Sequence, residues 1–300
     1  MVQTIVVSNR KGGTGKTTVS VNLAAEFAAA GSRVLLVDLD SQNHCAVGLG
    51  MKAAKGAPTA HDLFRDANAT MDSAVLATAY PYLSLVPADP LFEHGSGLRD
   101  RGLLARALTK PAITDAFDLV ILDTPPSLDT LLINALNAAH GVIVPSVPHP
   151  LSLEGVKQLM RILFKIKSGE NPDLKIYRFV PVMVAEHINQ HRLISGEIAH
   201  HFGTPKVLEG IRSDIKLAES FGAGQPIRAF APRCRAAEDF AALWREVARV
   251  VASFGEGPSG TPPSWTPPTS TRWHSTQAVP RATPSPEGKT QMVIPTWRNG

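Results

Sequence analysis

A chain of 300 residues, 44% of them hydrophobic, has the makeup of a soluble globular protein, with room for one large α/β domain or two small ones. The formal charge of +4 leaves an anionic partner such as nucleic acid or a lipid surface open without demanding one. The two cysteines, Cys45 and Cys234, form neither a CxxC nor a His/Cys metal spacing, so they are read as structural thiols in a reducing cytoplasm.

In chain order, the first apolar run spans residues 4–8 and is far too short for the hydrophobic region of a signal peptide. No later run approaches the roughly 20 apolar residues that a membrane-spanning helix needs, so no membrane insertion is expected. Further buried strands are predicted over residues 33–38, 83–87, 118–123, 141–145 and 178–184. Continuous apolar runs of this length suit a sheet covered on both faces. Helices are predicted between and after them, over residues 17–30, 98–108, 130–138, 153–167, 190–201 and 236–253. This alternation implies one α/β domain over residues 1–254, a mostly parallel twisted sheet flanked by helices on both faces. From residue 255 to 300 the chain turns rich in Pro, Ser and Thr and is expected to be a disordered tail. Its tryptophans, Trp265, Trp273 and Trp297, are either partner-binding stickers or isolated aromatics.

Residues 12–18 read GGTGKTT, directly after the first strand and at the start of the first helix. Strand, glycine loop and helix together are the context of a phosphate site. Gly12, Gly13 and Gly15 let successive backbone N–H groups around Thr14 turn toward an anion, and the helix N-terminus adds partial positive charge. Lys16 is placed to reach β and γ phosphates, Thr17 to join a Mg²⁺ shell, and Thr18 completes the loop.

Two strand ends supply carboxylates. RVLLVDLDSQ brings Asp38 and Asp40 to the carboxyl edge where doubly wound sheets hold ligands, and DLVILDTPPS closes its apolar run with Asp123. Asp123 fits a strand-end acid that bonds a Mg²⁺-bound water or the threonine of the phosphate loop, since a buried aspartate without a ligand is costly.

KGGTGKTT, from Lys11 to Thr18, resembles the deviant Walker A motif of the ParA/MinD family of P-loop ATPases, marked by the extra lysine ahead of the glycine pair. The resemblance implies ATP and Mg²⁺ as cofactors and a homodimer formed with ATP, in which Lys11 touches the partner's bound phosphates. DLDSQ resembles the family's DxDPQ switch, with Ser41 in place of the usual proline; by that resemblance Asp40 activates the attacking water and Asp38 supports the metal shell. The LSLEG helix entry and the late segment VLEGIRSDIKLAESFGAGQPI resemble two further family motifs. The late one is similar in position to a segment that borders adenine and faces DNA, although Arg212 and Ser213 replace the family's proline and arginine.

Within the family, the absence of a basic amphipathic C-terminal helix, of cluster-ligand cysteines and of tail tyrosines points to the ParA-like partitioning branch. No helix-turn-helix precedes the motif at residue 11, so operator-specific binding is not expected. The resemblance implies a slow ATP hydrolase, cytoplasmic and nucleoid-associated, whose dimer binds DNA without sequence preference. A cargo adaptor protein would stimulate hydrolysis, and the cargo is a plasmid, a chromosome region or a protein organelle such as a carboxysome. Candidate DNA contacts are Arg192, Arg212, Lys216, Arg228, Arg233 and Arg235, each equally readable as an ordinary solvated cation. The alternative is a DNA-independent ATPase switch that regulates a membrane-associated or secretion machine, with the tail as its partner-binding element. A metabolic ligase, as in related dethiobiotin synthetases, is disfavoured by Lys11.

Overall fold

The computed structural model describes residues 2–255 apart from positions 53, 55, 94, 96, 175, 186 and 187; the predicted tail beyond residue 255 lies outside the described residues. Eight strands form one sheet: β1 (Gln3–Val7), β2 (Val34–Asp38), β3 (Leu76–Ala77), β4 (Leu83–Val86), β5 (Leu119–Asp123), β6 (Gly141–Ser146), β7 (Ile176–Val184) and β8 (Ile211–Arg212). Their spatial order is β3-β4-β2-β5-β1-β6-β7-β8, parallel throughout except for the two-residue β3, which pairs antiparallel with β4.

Side chains alternate across the sheet. Val6, Leu35, Val37, Val120 and Leu122 face one apolar layer, while Ile5, Val7, Val34, Leu36, Leu119 and Ile121 face the other. The first layer is closed by α3 (Leu103–Leu108), α4 (Pro111–Thr114), α5 (Thr130–Ala138), α6 (Pro150–Ser168) and α7 (Asn189–Phe202). The second is closed by α1 (Lys16–Ala29), α2 (His44–Gly48), α9 (Ile227–Phe230) and α10 (Arg235–Ala252), with α8 (Ile215–Gly222) at its border. Because α1 leaves β1 toward one face and α5 leaves the neighbouring β5 toward the other, a crevice opens at the carboxyl edge between them.

All six predicted strands are present, as are the helices predicted over 17–30, 130–138, 153–167, 190–201 and 236–253. The helix expected over 98–108 begins only at Leu103. Its first residues are diverted: the Leu98 N–H donates to the Phe64 carbonyl at 2.7 Å, and Asp100 turns back to accept the Gly102 N–H at 2.8 Å. The short elements β3, β8, α2, α4, α8 and α9 were absent from the sequence-based expectation, being too short for periodicity to register.

Candidate nucleotide site

The loop between β1 and α1 is anchored at its entry. Asn9 donates from Nδ2 to the Pro145 carbonyl at 2.6 Å on β6 and accepts the Lys11 N–H at Oδ1, 3.0 Å. The Thr14 hydroxyl donates to the Lys11 carbonyl at 3.2 Å, which closes the loop on itself. Gly13 and Gly15 take φ of +70° and +73°, the left-handed region that favours glycine. A Cβ built on Gly12 or Gly13 would meet nothing within 4 Å, so the left-handed φ at Gly13, not crowding, is what favours glycine there.

Lys16 begins α1 and is 7% exposed. Burial draws its pKa down, opposed by the charges of Asp123 and Asp40. Lys11 is exposed, and its ammonium makes no ion pair or hydrogen bond among the described residues.

The three predicted acids converge, and they do so through strand pairing. Asp38 and Asp123 are aligned partners at the ends of β2 and β5, and neither has any exposed surface. Asp123 accepts from the Thr17 hydroxyl at 2.7 Å and from the Ser20 hydroxyl at 2.8 Å. Asp38 accepts the backbone N–H groups of Asp40 and Cys45, each at 3.0 Å. Burial raises the Asp38 carboxyl well above its usual range and the facing Asp123 charge adds to the rise, while the two backbone donors oppose it. Asp123 is likewise raised by burial, against its bonds to Thr17 and Ser20. Two buried carboxylates side by side, with the Thr17 hydroxyl bonded to one of them, form a set of hard oxygens that fits Mg²⁺.

Asp40 stands just outside that pair, partly exposed. Its Oδ1 accepts the Gln42 N–H at 3.1 Å and its carbonyl accepts the Asn43 N–H at 2.8 Å, a turn that holds the carboxylate at the crevice. Ser41, in the place of the family's proline, is 8% exposed within this turn. Cys45 is buried with its thiol 3.5 Å from Asp123 Oδ2 and pushed well up in pKa by burial and the two aspartates; both it and Cys234 are free.

Two site residues were missed from the sequence. Ser20 is the second donor to Asp123; its position three residues after Thr17 on one helix face is the signal that would have found it. Asn22 donates to the Thr18 carbonyl at 2.9 Å and accepts the Ile227 N–H at 2.7 Å, which fastens the late GAGQPI segment against α1.

The six candidate cations of the C-terminal third divide into three pairs. Arg228 binds the buried Glu26 at 2.8 Å, and Arg212 binds Asp239 at 2.7 Å and lies 3.7 Å from Glu238. Lys216 pairs on the surface with Glu219, and Arg192 bonds Asn189. Arg233 and Arg235 are exposed at the start of α10, where the Asp214 carboxylate caps α8 and accepts the Ala236 N–H at 3.3 Å.

A family profile described as an AAA domain matches residues 2–176. The chromosome partitioning protein ParA of Caulobacter vibrioides is 32% identical over 82% of this chain and 94% of its own length. The chain belongs to the ParA/MinD family of P-loop ATPases. The sporulation initiation inhibitor protein Soj of Bacillus subtilis is 34% identical over 83% of this chain and 99% of its own. Among solved structures, a Mycobacterium smegmatis protein described as cobyrinic acid a,c-diamide synthase, with bound ADP and magnesium, is 28% identical. It superposes with a TM-score of 0.70 over 87% of this chain and 100% of that one. As a family member the chain is an ATP hydrolase, and no helix among its described residues is long and apolar enough to cross a membrane.

Proposed function

We propose that ATP closes two copies of this chain into a dimer that binds nucleoid DNA without sequence preference and positions or segregates a cargo. The single observation that carries the reading is the contrast between the two lysines of the loop: Lys16 is buried beside the acids, whereas Lys11 is exposed at the mouth of the site. A cation held out in solvent serves a second nucleotide site better than its own, and charge supplied from a partner couples dimerisation to hydrolysis. Exposed apolar residues at the same carboxyl edge support a face that meets another copy: Leu128 at 48%, Leu151 at 69%, Leu193 at 67% and Ile215 at 70% exposure.

In this reading Gly12, Gly13, Thr14, Gly15, Lys16, Thr17 and Thr18 cradle the phosphates, and Thr17, Asp38 and Asp123 hold Mg²⁺. The bound ion would neutralise charge on the β and γ phosphates. Asp40 orients the attacking water, and Lys11 acts in trans. Hydrolysis is slow until an adaptor on the cargo stimulates it. The Caulobacter vibrioides relative, named for chromosome partitioning, supports this branch. Arg192, Lys216, Arg233 and Arg235 are the proposed DNA contacts; Arg212 and Arg228, already held by carboxylates, fasten the C-terminal third to the sheet.

Binding to random-sequence duplex DNA across a salt series tests the proposal, with ATP, ADP or no nucleotide and with Asp40→Ala to hold the ATP state. Binding that requires ATP and falls steeply with salt is the expected result. A trapped dimer that ignores DNA would replace the nucleoid with a membrane-associated or secretion machine as the matrix.

A further inference from the structure

Leu39 lies between the two aspartates of the crevice, and its peptide groups are held from both sides. Its N–H donates to the Asp123 carbonyl at 2.9 Å, its carbonyl oxygen is 3.2 Å from His61 Nε2, and it has no exposed surface. His61 is equally buried, and its Nδ1 accepts the Asp89 backbone N–H at 2.9 Å. An accepting Nδ1 leaves the proton of the neutral ring on Nε2, so Nε2–H donates to Leu39.

The ring has little freedom to leave. It stacks on Phe92 with centroids 4.2 Å apart and planes within 8°, and the Arg65 guanidinium sits 5.0 Å from the Phe92 centroid while bonding Asp89 at 2.5 Å. His61 belongs to a single 3₁₀ turn (Ala60–Phe64) whose start is fixed by reciprocal bonds between Thr59 and Asp62. That turn is tied to the segment after β4 by the Ala60 N–H on the Pro87 carbonyl at 2.9 Å. The same segment reaches the far end of the Asp40 turn, where the Ala88 N–H donates to Asn43 Oδ1 at 3.2 Å. Both ends of the loop that presents Asp40 are therefore gripped from one neighbouring body, at Leu39 by His61 and at Asn43 by Ala88.

We propose that His61 is a positioning residue for hydrolysis: its Nε2–H fixes the Leu39 peptide and through it the place of the Asp40 carboxylate. The inference rests on the reading of Asp40 as the water-handling acid. Without the histidine donor, a fully buried carbonyl is left unpaired, and the cheapest relief is rotation of the peptide that leads into Asp40. Lys16 and the glycine loop are held instead by Asn9, which bonds the Pro145 carbonyl and the Lys11 N–H, and by the Thr14 hydroxyl on the Lys11 carbonyl, so nucleotide affinity is expected to change little.

The test compares ATP binding with single-turnover hydrolysis of Mg-ATP in the full chain for wild type, His61→Phe, His61→Gln and Asp40→Ala. His61→Phe retains a ring against Phe92 and loses the hydrogen bonds to Leu39 and Asp89; His61→Gln restores an amide donor. Expected is a fall in the hydrolysis rate of about tenfold or more for His61→Phe, with ATP affinity within about twofold of wild type and partial recovery in His61→Gln. Backbone amides of residues 38–43 should exchange faster in His61→Phe. A folded His61→Phe that hydrolyses ATP at the wild-type rate, or one that loses affinity in proportion, overturns the assignment. Wild-type hydrolysis in Asp40→Ala overturns instead the reading beneath it. Should His61→Phe not be recovered folded, Phe92→Leu, which removes the ring that holds His61 in place and that Arg65 covers, decides by the same comparison: a slower rate at unchanged affinity supports the role, and an unchanged rate ends it.

Discussion

Arg228 reaches Glu26 at 2.8 Å across 202 residues of sequence, and the carboxylate it meets belongs to a residue only 3% exposed on α1. Burial raises the Glu26 pKa, and Arg228 offsets part of that rise. A carboxyl whose folded pKa lies above its unfolded value favours folding most below the unfolded pKa, and that advantage is lost as pH rises through the folded one. Removing Arg228 raises the folded value further. Arg228→Ala should therefore cost about 2 kcal/mol near neutral pH, and its deficit in melting temperature should widen from pH 5 to pH 8. A deficit that is flat with pH would mean that the pair contributes only packing.

Gly50 and Gly224 meet backbone to backbone, both at φ +66°; a Cβ on Gly224 would lie 2.6 Å from the Gly50 Cα. No flexible side chain stands there to move aside. Gly224→Ala should combine left-handed strain with a main-chain clash and cost about 3 kcal/mol, a fall in melting temperature of roughly 10 °C. Thermal unfolding followed by circular dichroism reads it directly.

Ser20 shares Asp123 with Thr17, one hydroxyl on each carboxylate oxygen. Ser20→Ala leaves a buried charged acceptor one donor short. The expected loss is about 1–2 kcal/mol of stability, together with a higher Mg²⁺ requirement for ATP hydrolysis, measured by magnesium titration of the turnover rate.

The two lysines and the outer acid should separate the steps of the cycle. Lys16→Ala is expected to abolish ATP binding, Asp40→Ala to accumulate an ATP-bound dimer, and Lys11→Ala to bind ATP while failing to dimerise. Filter binding and size-exclusion chromatography with ATP distinguish the three outcomes; a Lys11→Ala dimer of wild-type stability would remove Lys11 from the partner's site.

Phe254, 6% exposed, packs into the layer that α10 closes. Deleting residues 255–300 is accordingly expected to leave ATP hydrolysis intact. Insoluble truncated protein would show that the segment belongs to the fold.

Much of the site was legible in the sequence because its chemistry is written in contiguous residues. KGGTGKTT must curl where its glycines permit, and an apolar run closed by an aspartate must deliver that acid to a strand end. Asp38 and Asp123 could thus be placed at the same edge, whereas their alignment as partners on adjacent strands came only with the order of the sheet. The cations of the C-terminal third were not legible. A guanidinium's role depends on which carboxylate lies beside it, and for Arg228 that carboxylate is on α1, near the other end of the chain.

The sequence by itself determined the fold class, the phosphate loop with its two lysines, the three acids and the succession of long strands and helices. Each of these follows from local conformational preference and short-range periodicity, which act within a few residues. The tertiary structure alone decided that Ser20 completes the cradle of Asp123, that His61 grips Leu39, that Asn22 holds Ile227, and that Gly224 leaves room for Gly50. Those relationships arise when buried polar groups and close-packed backbones, most of them far apart in the chain, must satisfy one another in a space that water has left.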